Sequence, residues 1–372
     1  MSESLEKIEP ILLMGPGPSC VPPEVYKALA LPTIGHLDPV FITIMDEVKS
    51  HLRTLFITEN TLTLPISGTG SAGMETCFVN LVEPGDRVLI LINGVFGQRM
   101  QDVATRLGAR VDALEYPWGE PVDPEDVFRK LKENDYKIVA VVHAETSTGV
   151  KNPVGAIGEI IREHGALYLV DTVTSLGGIE VEVDGWHIDA VYSGTQKCLS
   201  CPPGLSPVSF SQRAIETIES RQTKVPNWYL DLSMLLNYWQ GETRTYHHTA
   251  PINMIYALHQ SLTLILETGP SSVYDRHLQQ HQSLVDGLEG LGLEMLVSKP
   301  FRLPMLNAVK LPEGIDEADV RKKLRMEHKI EIGAGLGPLA GKIWRIGLMG
   351  HTARAENVSR FITALDSILK QG

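Results

Sequence analysis

Gly68, Gly70 and Gly73 in "ISGTGSAGMET", residues 66–76, have the spacing G-x-G-x-x-G. Between a strand and a helix that spacing cradles the phosphates of a dinucleotide. Such a site also needs an Asp or Glu about twenty residues further on, to bind the ribose hydroxyls. Here that place falls in "LING", where Asn93 and Gly94 stand. The surviving signal is a small-residue turn entering the helix "AGMETCFVNLV", whose free N–H groups and dipole attract an anion. The loop therefore reads as a phosphate cradle of unspecified ownership, or as a glycine turn without a ligand.

Two later stretches narrow the choice. In "LYLVDTVTSLGG" Asp171 follows an apolar strand, and in "VYSGTQKCLSCPPG" Lys197 follows the next. Taken singly, Asp171 is equally a helix N-cap and Lys197 a solvated tip. Together with the cradle they form the set that pyridoxal phosphate requires. That set is a lysine for the Schiff base, an acid that keeps the pyridine nitrogen protonated, and a helix N-terminus for the phosphate. Cys198 and Cys201 are formally C-x-x-C, but a second pair, a nearby His cluster or a helix opening at the pair is missing, so they read as small loop residues. His247 and His248 are not expected to pair on a metal, because adjacent residues on regular structure point apart. No metal site is predicted.

These groups need a scaffold that brings strand ends together. "DRVLILING", "KIVAVVHAE", "ALYLVDTV" and "DAVYSGTQK" are near-continuous apolar runs ending in polar residues, as strands buried on both faces are. Alternating with helical stretches between about 60 and 210, they predict an α/β fold with a mostly parallel sheet. In such sheets the site lies beyond the carboxyl ends of the strands. Helical spacing dominates from about 211 to 295, including "APINMIYALHQSLTLILETG". The remainder, with strands "LNAVKLP", "IEIGAG" and "IWRIGLMG" and the helices "DEADVRKKLRMEHK" and "ENVSRFITALDSILKQ", predicts a smaller α+β domain.

The 372 residues are 43% hydrophobic, enough for a sizeable core. The net charge of -12 disfavours nucleic acid and anionic membrane partners. The start "MSESLEKIEP" is not that of a secretory signal, the apolar runs are too short to span a bilayer, and four cysteines are too few for a disulfide framework. A cytoplasmic location is expected.

The chain resembles the class V aminotransferases of PLP-transferase fold type I, and among them the alanine:glyoxylate (serine:pyruvate) type, over essentially its whole length. "LLMGPGPS", "IGHLDPVF", "SGTGSAGME", "NGVFGQR", "HAETSTGV", "VDTVTSLGG", "YSGTQKCLSCPPG", "YHHTAP" and "WRIGLMG" carry the resemblance. It implies pyridoxal 5'-phosphate, with Lys197 as Schiff-base lysine and proton shuttle and Asp171 on the pyridine nitrogen. Thr69, Gly70, Ser71 and Gln196 would line the phosphate. Phe96, where many relatives have Trp, and Val173 would cover the two ring faces, with Thr146 near the ring hydroxyl. Phe96 also reads as plain core. The resemblance further implies a homodimer, in which Tyr246 and Thr249 reach the phosphate of the neighbouring subunit. Arg345 would grip the substrate carboxylate, and Gly17 in "GPGPS" would leave room for a small substrate. The implied division is an N-terminal arm at 1–20, a large cofactor domain at 21–268 and a small C-terminal domain at 269–372.

The expected reaction is ping-pong transfer of an amino group from alanine or serine to glyoxylate or pyruvate. Another class V activity, such as 2-aminoethylphosphonate or another small amine with pyruvate, is the alternative, and a nicotinamide dehydrogenase the disfavoured one. A cysteine desulfurase needs a nucleophilic cysteine in the C-terminal region, and residues 202–372 contain none.

Overall fold

The computed structural model describes residues 2–240 and 244–370. Seven strands form the main sheet: β1 (Leu62–Ser67), β2 (Arg87–Ile92), β3 (Arg110–Glu115), β4 (Ile138–Val142), β5 (Leu167–Asp171), β6 (Ala190–Tyr192) and β7 (Leu205–Phe210). Their spatial order is β1-β7-β6-β5-β4-β2-β3, and only β7 runs against the rest. This is the expected α/β fold, with a mixed, mostly parallel large sheet. Strands β4 to β7 are buried at every position, which is why they read as unbroken apolar runs.

The helices that position the site start at the carboxyl ends of these strands. After the amphipathic α1 (Pro39–Phe56), α2 (Gly70–Leu81) follows β1 and α3 (Val95–Arg106) follows β2, while α4 (Val154–His164) leads into β5. Gly73 makes α2 fit. A Cβ there would lie 2.9 Å from Tyr192 Cβ and strike the Ser206 hydroxyl, so the helix lies directly on β6 and β7. Helix α5 (Ile252–Thr268) packs on α1, and α6 (Pro270–Gly290) leads to the C-terminal part.

There, β8 (Leu306–Lys310), β9 (Gly333–Ala334) and β10 (Ile343–Gly347) form an antiparallel sheet in the order β8-β10-β9. With α7 (Glu317–His328) and α8 (Ala355–Leu369) they enclose a second apolar cluster around Trp344, Ile346 and Phe361. Leu12 and Met14 belong to that cluster too. The Leu12–Leu13 segment pairs in parallel with Ile330–Glu331, and the Met14 carbonyl accepts a hydrogen bond from the Gly347 N–H at 2.7 Å. Among the described residues no helix is long and apolar enough to cross a membrane.

Candidate active site

The carboxyl ends of β1, β2, β4, β5 and β6 converge, and five short segments leave them: 68–71, 93–96, 143–147, 171–174 and 193–197. They enclose a cavity of about 100 Å³ lined by Gly70, Ser71, Phe96, Thr146, Asp171, Val173, Gln196 and Lys197, with Arg99 and Tyr192 among others. Eight of the eleven cofactor residues expected from the sequence thus share one space. Thr69 does not line it. It is the exposed N-cap of α2 and places the first free N–H groups of that helix there instead.

Asp171 ends β5 opposite Val142 of β4 and Tyr192 of β6. One carboxylate oxygen accepts the Val173 N–H at 2.8 Å and the other the Tyr192 hydroxyl at 2.7 Å. It therefore caps a turn rather than a helix, and it is buried. Burial pushes its pKa up to about 6, against the Tyr192 and Val173 hydrogen bonds and the charges of Lys197 and Arg99. Lys197 is 9% exposed, which removes the solvated-tip reading. Burial draws its pKa down to about 8. Its ammonium donates to the Pro16 carbonyl, and Gly17 stands so close that a Cβ there would lie 2.5 Å from Nζ. The "GPGPS" turn therefore touches the lysine, with Gly17 at φ +103°, a region that favours glycine.

Glu145 is a further acid of the site that the sequence reading does not single out. It stands three places past Val142, the last residue of β4, after His143 and Ala144, and it is fully buried. Its carboxylate accepts the Phe96 N–H at 3.2 Å, the Ser147 N–H at 3.0 Å and the Ser147 hydroxyl at 2.6 Å. Burial pushes its pKa up to about 7, against the hydrogen bonds from Ser147 and Phe96 and with the charge of Asp171 adding to the rise. The carboxylate lies against Gly94, where any Cβ would collide with it. An acid does therefore reach the end of β2, but it comes from the neighbouring strand and is already engaged by protein donors. An acid just beyond an apolar strand is the same signal that singles out Asp171. Asn93 is occupied as well, donating to Asn152 at 2.9 Å and to the Glu120 carbonyl.

Arg345 on β10 is 6% exposed. Its Nε donates to the Ala334 carbonyl at 2.6 Å and its Nη1 to the Thr146 carbonyl at 3.1 Å. Burial draws its pKa down to about 10, and the charge of Glu145 opposes that. It does not line the cavity itself but joins it through Thr146. Two backbone carbonyls fix its plane, leaving Nη2 as the guanidinium nitrogen without a partner among the described residues. Arg99, also absent from the sequence reading, lies over the Phe96 ring with Cζ 5.1 Å from the centroid.

Tyr246 and Thr249 are exposed, 3.4 Å apart through their hydroxyls, and do not line this cavity. The adjacent histidines depart from expectation. Their segment is irregular, so the rings of His247 and His248 meet with Nδ1 atoms 2.8 Å apart. His248 reaches Ser67 at 3.0 Å, which ties the segment to the glycine loop. Cys198 and Cys201 are buried free thiols in the loop after Lys197.

The cavity fits pyridoxal phosphate on one independent observation. Gln196 Oε1 is sealed from solvent and has no hydrogen-bond partner among the described residues, and it lies where Gly70 and Gly194 approach each other. Turned over, the same amide aims its Nε2 N–H donors at this point, and a phosphate supplies the acceptor that they need.

Known proteins are similar to the chain in sequence and in fold. Residues 15–361 match the family model described as aminotransferase class-V. The chain is 41% identical over 362 residues to an alanine–glyoxylate aminotransferase of Oryctolagus cuniculus, covering 96% of this chain and 92% of that one. It is also 41% identical over 375 residues to an (S)-ureidoglycine–glyoxylate transaminase of Bacillus subtilis (strain 168), covering 96% and 90%. The structure superimposes on that of an alanine–glyoxylate aminotransferase from Nostoc sp. with a TM-score of 0.95 at 48% identity, over 99% of both chains.

Proposed function

The chain belongs to the class V aminotransferases, and on that premise we propose that it moves an amino group from alanine or serine to glyoxylate by a ping-pong route. The observation that carries the reading is the convergence of buried Lys197, buried Asp171 and the start of α2 on one cavity. The family implies pyridoxal phosphate. When bound, it supplies an aldehyde for the substrate amine and an electron sink for the bond broken at Cα.

The residues divide the remaining work. Lys197 Nζ, drawn down to about 8 by burial, has its free amine within reach near neutral pH, and it takes the Cα proton and returns it in the reverse half-reaction. Asp171 would hold a proton on the ring nitrogen, its two oxygens fixed by the Tyr192 hydroxyl and the Val173 N–H. Gly70, Ser71 and Gln196, with Thr69 as cap, would hold the phosphate. Phe96 and Val173 would cover the ring, with Thr146 near its hydroxyl. Arg345 presents Nη2 to the substrate carboxylate from a plane fixed by Ala334 and Thr146. Gly17 keeps the space beside Lys197 Nζ free of any side chain.

The same reading makes the protein a homodimer in which Tyr246 and Thr249 serve the neighbouring subunit. Exposed Trp228 and Tyr229 lie against His247 and His248, whose segment also carries exposed Tyr246 and reaches the glycine loop through Ser67. The division into an arm at 1–20, a cofactor domain at 21–268 and a small domain at 269–372, and a cytoplasmic location, belong to this reading too. A second donor, (S)-ureidoglycine, is favoured by one observation: the relative named for it is as similar as the alanine-using one, at 41% each.

A half-reaction screen tests the proposal. Purified enzyme is mixed with alanine, serine or (S)-ureidoglycine, loss of the cofactor's visible absorbance is followed, and glyoxylate or pyruvate is then added. Rapid loss with alanine or serine and recovery with glyoxylate is the expected result. Response to (S)-ureidoglycine alone would move the assignment to the second donor, and recovery with pyruvate but not glyoxylate would refute the acceptor.

A further inference from the structure

Behind the loop that carries Lys197, a cleft of about 250 Å³ opens between the end of α5, the start of α6 and the 350–354 turn. It shares no lining residue with the cofactor cavity, although Cys198, Leu199 and Ser200 form part of its wall. Two arginines line it, Arg276 and Arg354, against the single acid Glu24, with His351 beside them, whose pKa burial and the two guanidinium charges lower. In a chain of net charge -12 this is a local reversal of sign.

Arg276 is the telling residue. Its guanidinium is half-buried and makes no hydrogen bond or ion pair with any described residue, and its Nε is sealed from solvent without a partner. Burial and the neighbouring charge of Arg354 both lower its pKa. Arg354 turns its own donors on His351, Nε to the carbonyl at 3.2 Å and Nη2 to Nδ1 at 3.0 Å, and its nearest acid, Glu356, stands 3.8 Å away at the surface. The Cys198 thiol does not offset these charges, because burial pushes its pKa up to about 12 and keeps it neutral. A half-buried cation that the described chain leaves unanswered, as Arg276 is, is costly unless a counter-charge arrives.

We infer that this cleft binds a small dianion, of the phosphate or dicarboxylate class, between the guanidinium groups of Arg276 and Arg354. Arg276 keeps Nη1 and Nη2, and Arg354 keeps Nη1, free of hydrogen bonds with described residues, and guanidinium N–H donors match the paired oxygens that both classes present. The inference is independent of which donor or acceptor the enzyme uses.

The test is calorimetric titration of the fully loaded holoenzyme with inorganic phosphate, and separately with malonate, at fixed ionic strength set with chloride and at two temperatures. One site per chain is expected for at least one of the two anions, and the one that binds more tightly identifies the source. Arg276→Gln and Arg354→Gln should each weaken it at least fivefold. Arg354 is exposed, so its variant keeps the test valid if Arg276→Gln fails to fold. Absence of binding by both anions, a loss below fivefold in the folded variants, or loss of the cofactor's visible absorbance in step with the heat would overturn the proposal. The last result would place the anion in the cofactor's phosphate cradle instead.

Discussion

The loop from 193 to 201 separates two charged regions that are built on opposite plans. On its Lys197 side the buried charges are answered from within the chain: Asp171 by Tyr192 and Val173, Glu145 by Ser147 and Phe96, Arg345 by two carbonyls. On its Cys198 side Arg276 is answered by nothing among the described residues. A chain tolerates buried charge where it fixes the geometry of a reaction, and the hydrogen bonds around such a charge serve its orientation. Where it leaves a cation bare, the missing partner has to come from solution. The first region is therefore sensitive to its own side chains, the second to what is dissolved around it.

The harshest way to break the first region is Lys197→Ala. It removes the one base placed at the substrate, and turnover should fall by roughly 10³-fold or more while cofactor still binds noncovalently, as steady-state kcat and absorbance would show. Retained turnover would contradict the role. Asp171→Asn keeps the shape and loses the charge, and kcat should fall by about 10²- to 10³-fold. A fall below threefold would leave Asp171 as a cap on the 171–174 turn and nothing more.

Arg345→Lys sharpens the comparison, since it keeps the charge and discards the orientation that Ala334 and Thr146 impose. Losses of about 2–4 kcal/mol in kcat/KM are expected for alanine, serine and glyoxylate alike, because all carry the carboxylate. Values within threefold of wild type would remove Arg345 as the clamp.

The smallest effect concerns stability. Glu145 has a folded pKa of about 7, above its ordinary value of 4.5, so the folded chain binds more protons than the unfolded one between those values. Stability from this group is therefore present at low pH and is lost as pH rises through the folded value. Glu145→Gln should flatten the profile, so that between about pH 5.5 and 7 the cofactor-free variant loses about 1–2 kcal/mol less than wild type. Denaturant titrations at the two pH values would show it, and parallel profiles would mean that Glu145 is already ionised at the lower one.

Strands β2, β4, β5 and β6 are legible in the sequence because they are buried almost throughout and end in polar residues, whereas the edge strand β3 is half-exposed and gives no such run. Asp171 and Lys197 stand at such ends, and the glycine loop is local in sequence. What stays hidden depends on register and on crossings between strands. Tyr192 matters because β6 sets it opposite Asp171, and Glu145 because its strand brings it under Gly94. The reversed strand β7 is masked by Pro207, a residue that argues against an interior strand. In the sheet Pro207 faces Pro65 of β1 at one register position, so both missing donors fall at the same place. The contact between His247 and His248 escapes because a rule for regular structure does not hold in a segment that has none.

The N-terminal segment has a consequence in time. Leu12 to Met14 are held by Ile330, Glu331 and Gly347, and two residues later the Pro16 carbonyl meets the Lys197 ammonium. About 320 residues separate Leu12 from Ile330, so at ribosomal rates of about 5–20 residues per second the segment waits roughly 15 s to a minute for its partner to be made. Residues translated among the first are thus among the last to be placed. During that interval the growing chain holds its glycine loop and its lysine but lacks the N-terminal wall beside the lysine, and the site closes only once β10 has been synthesised.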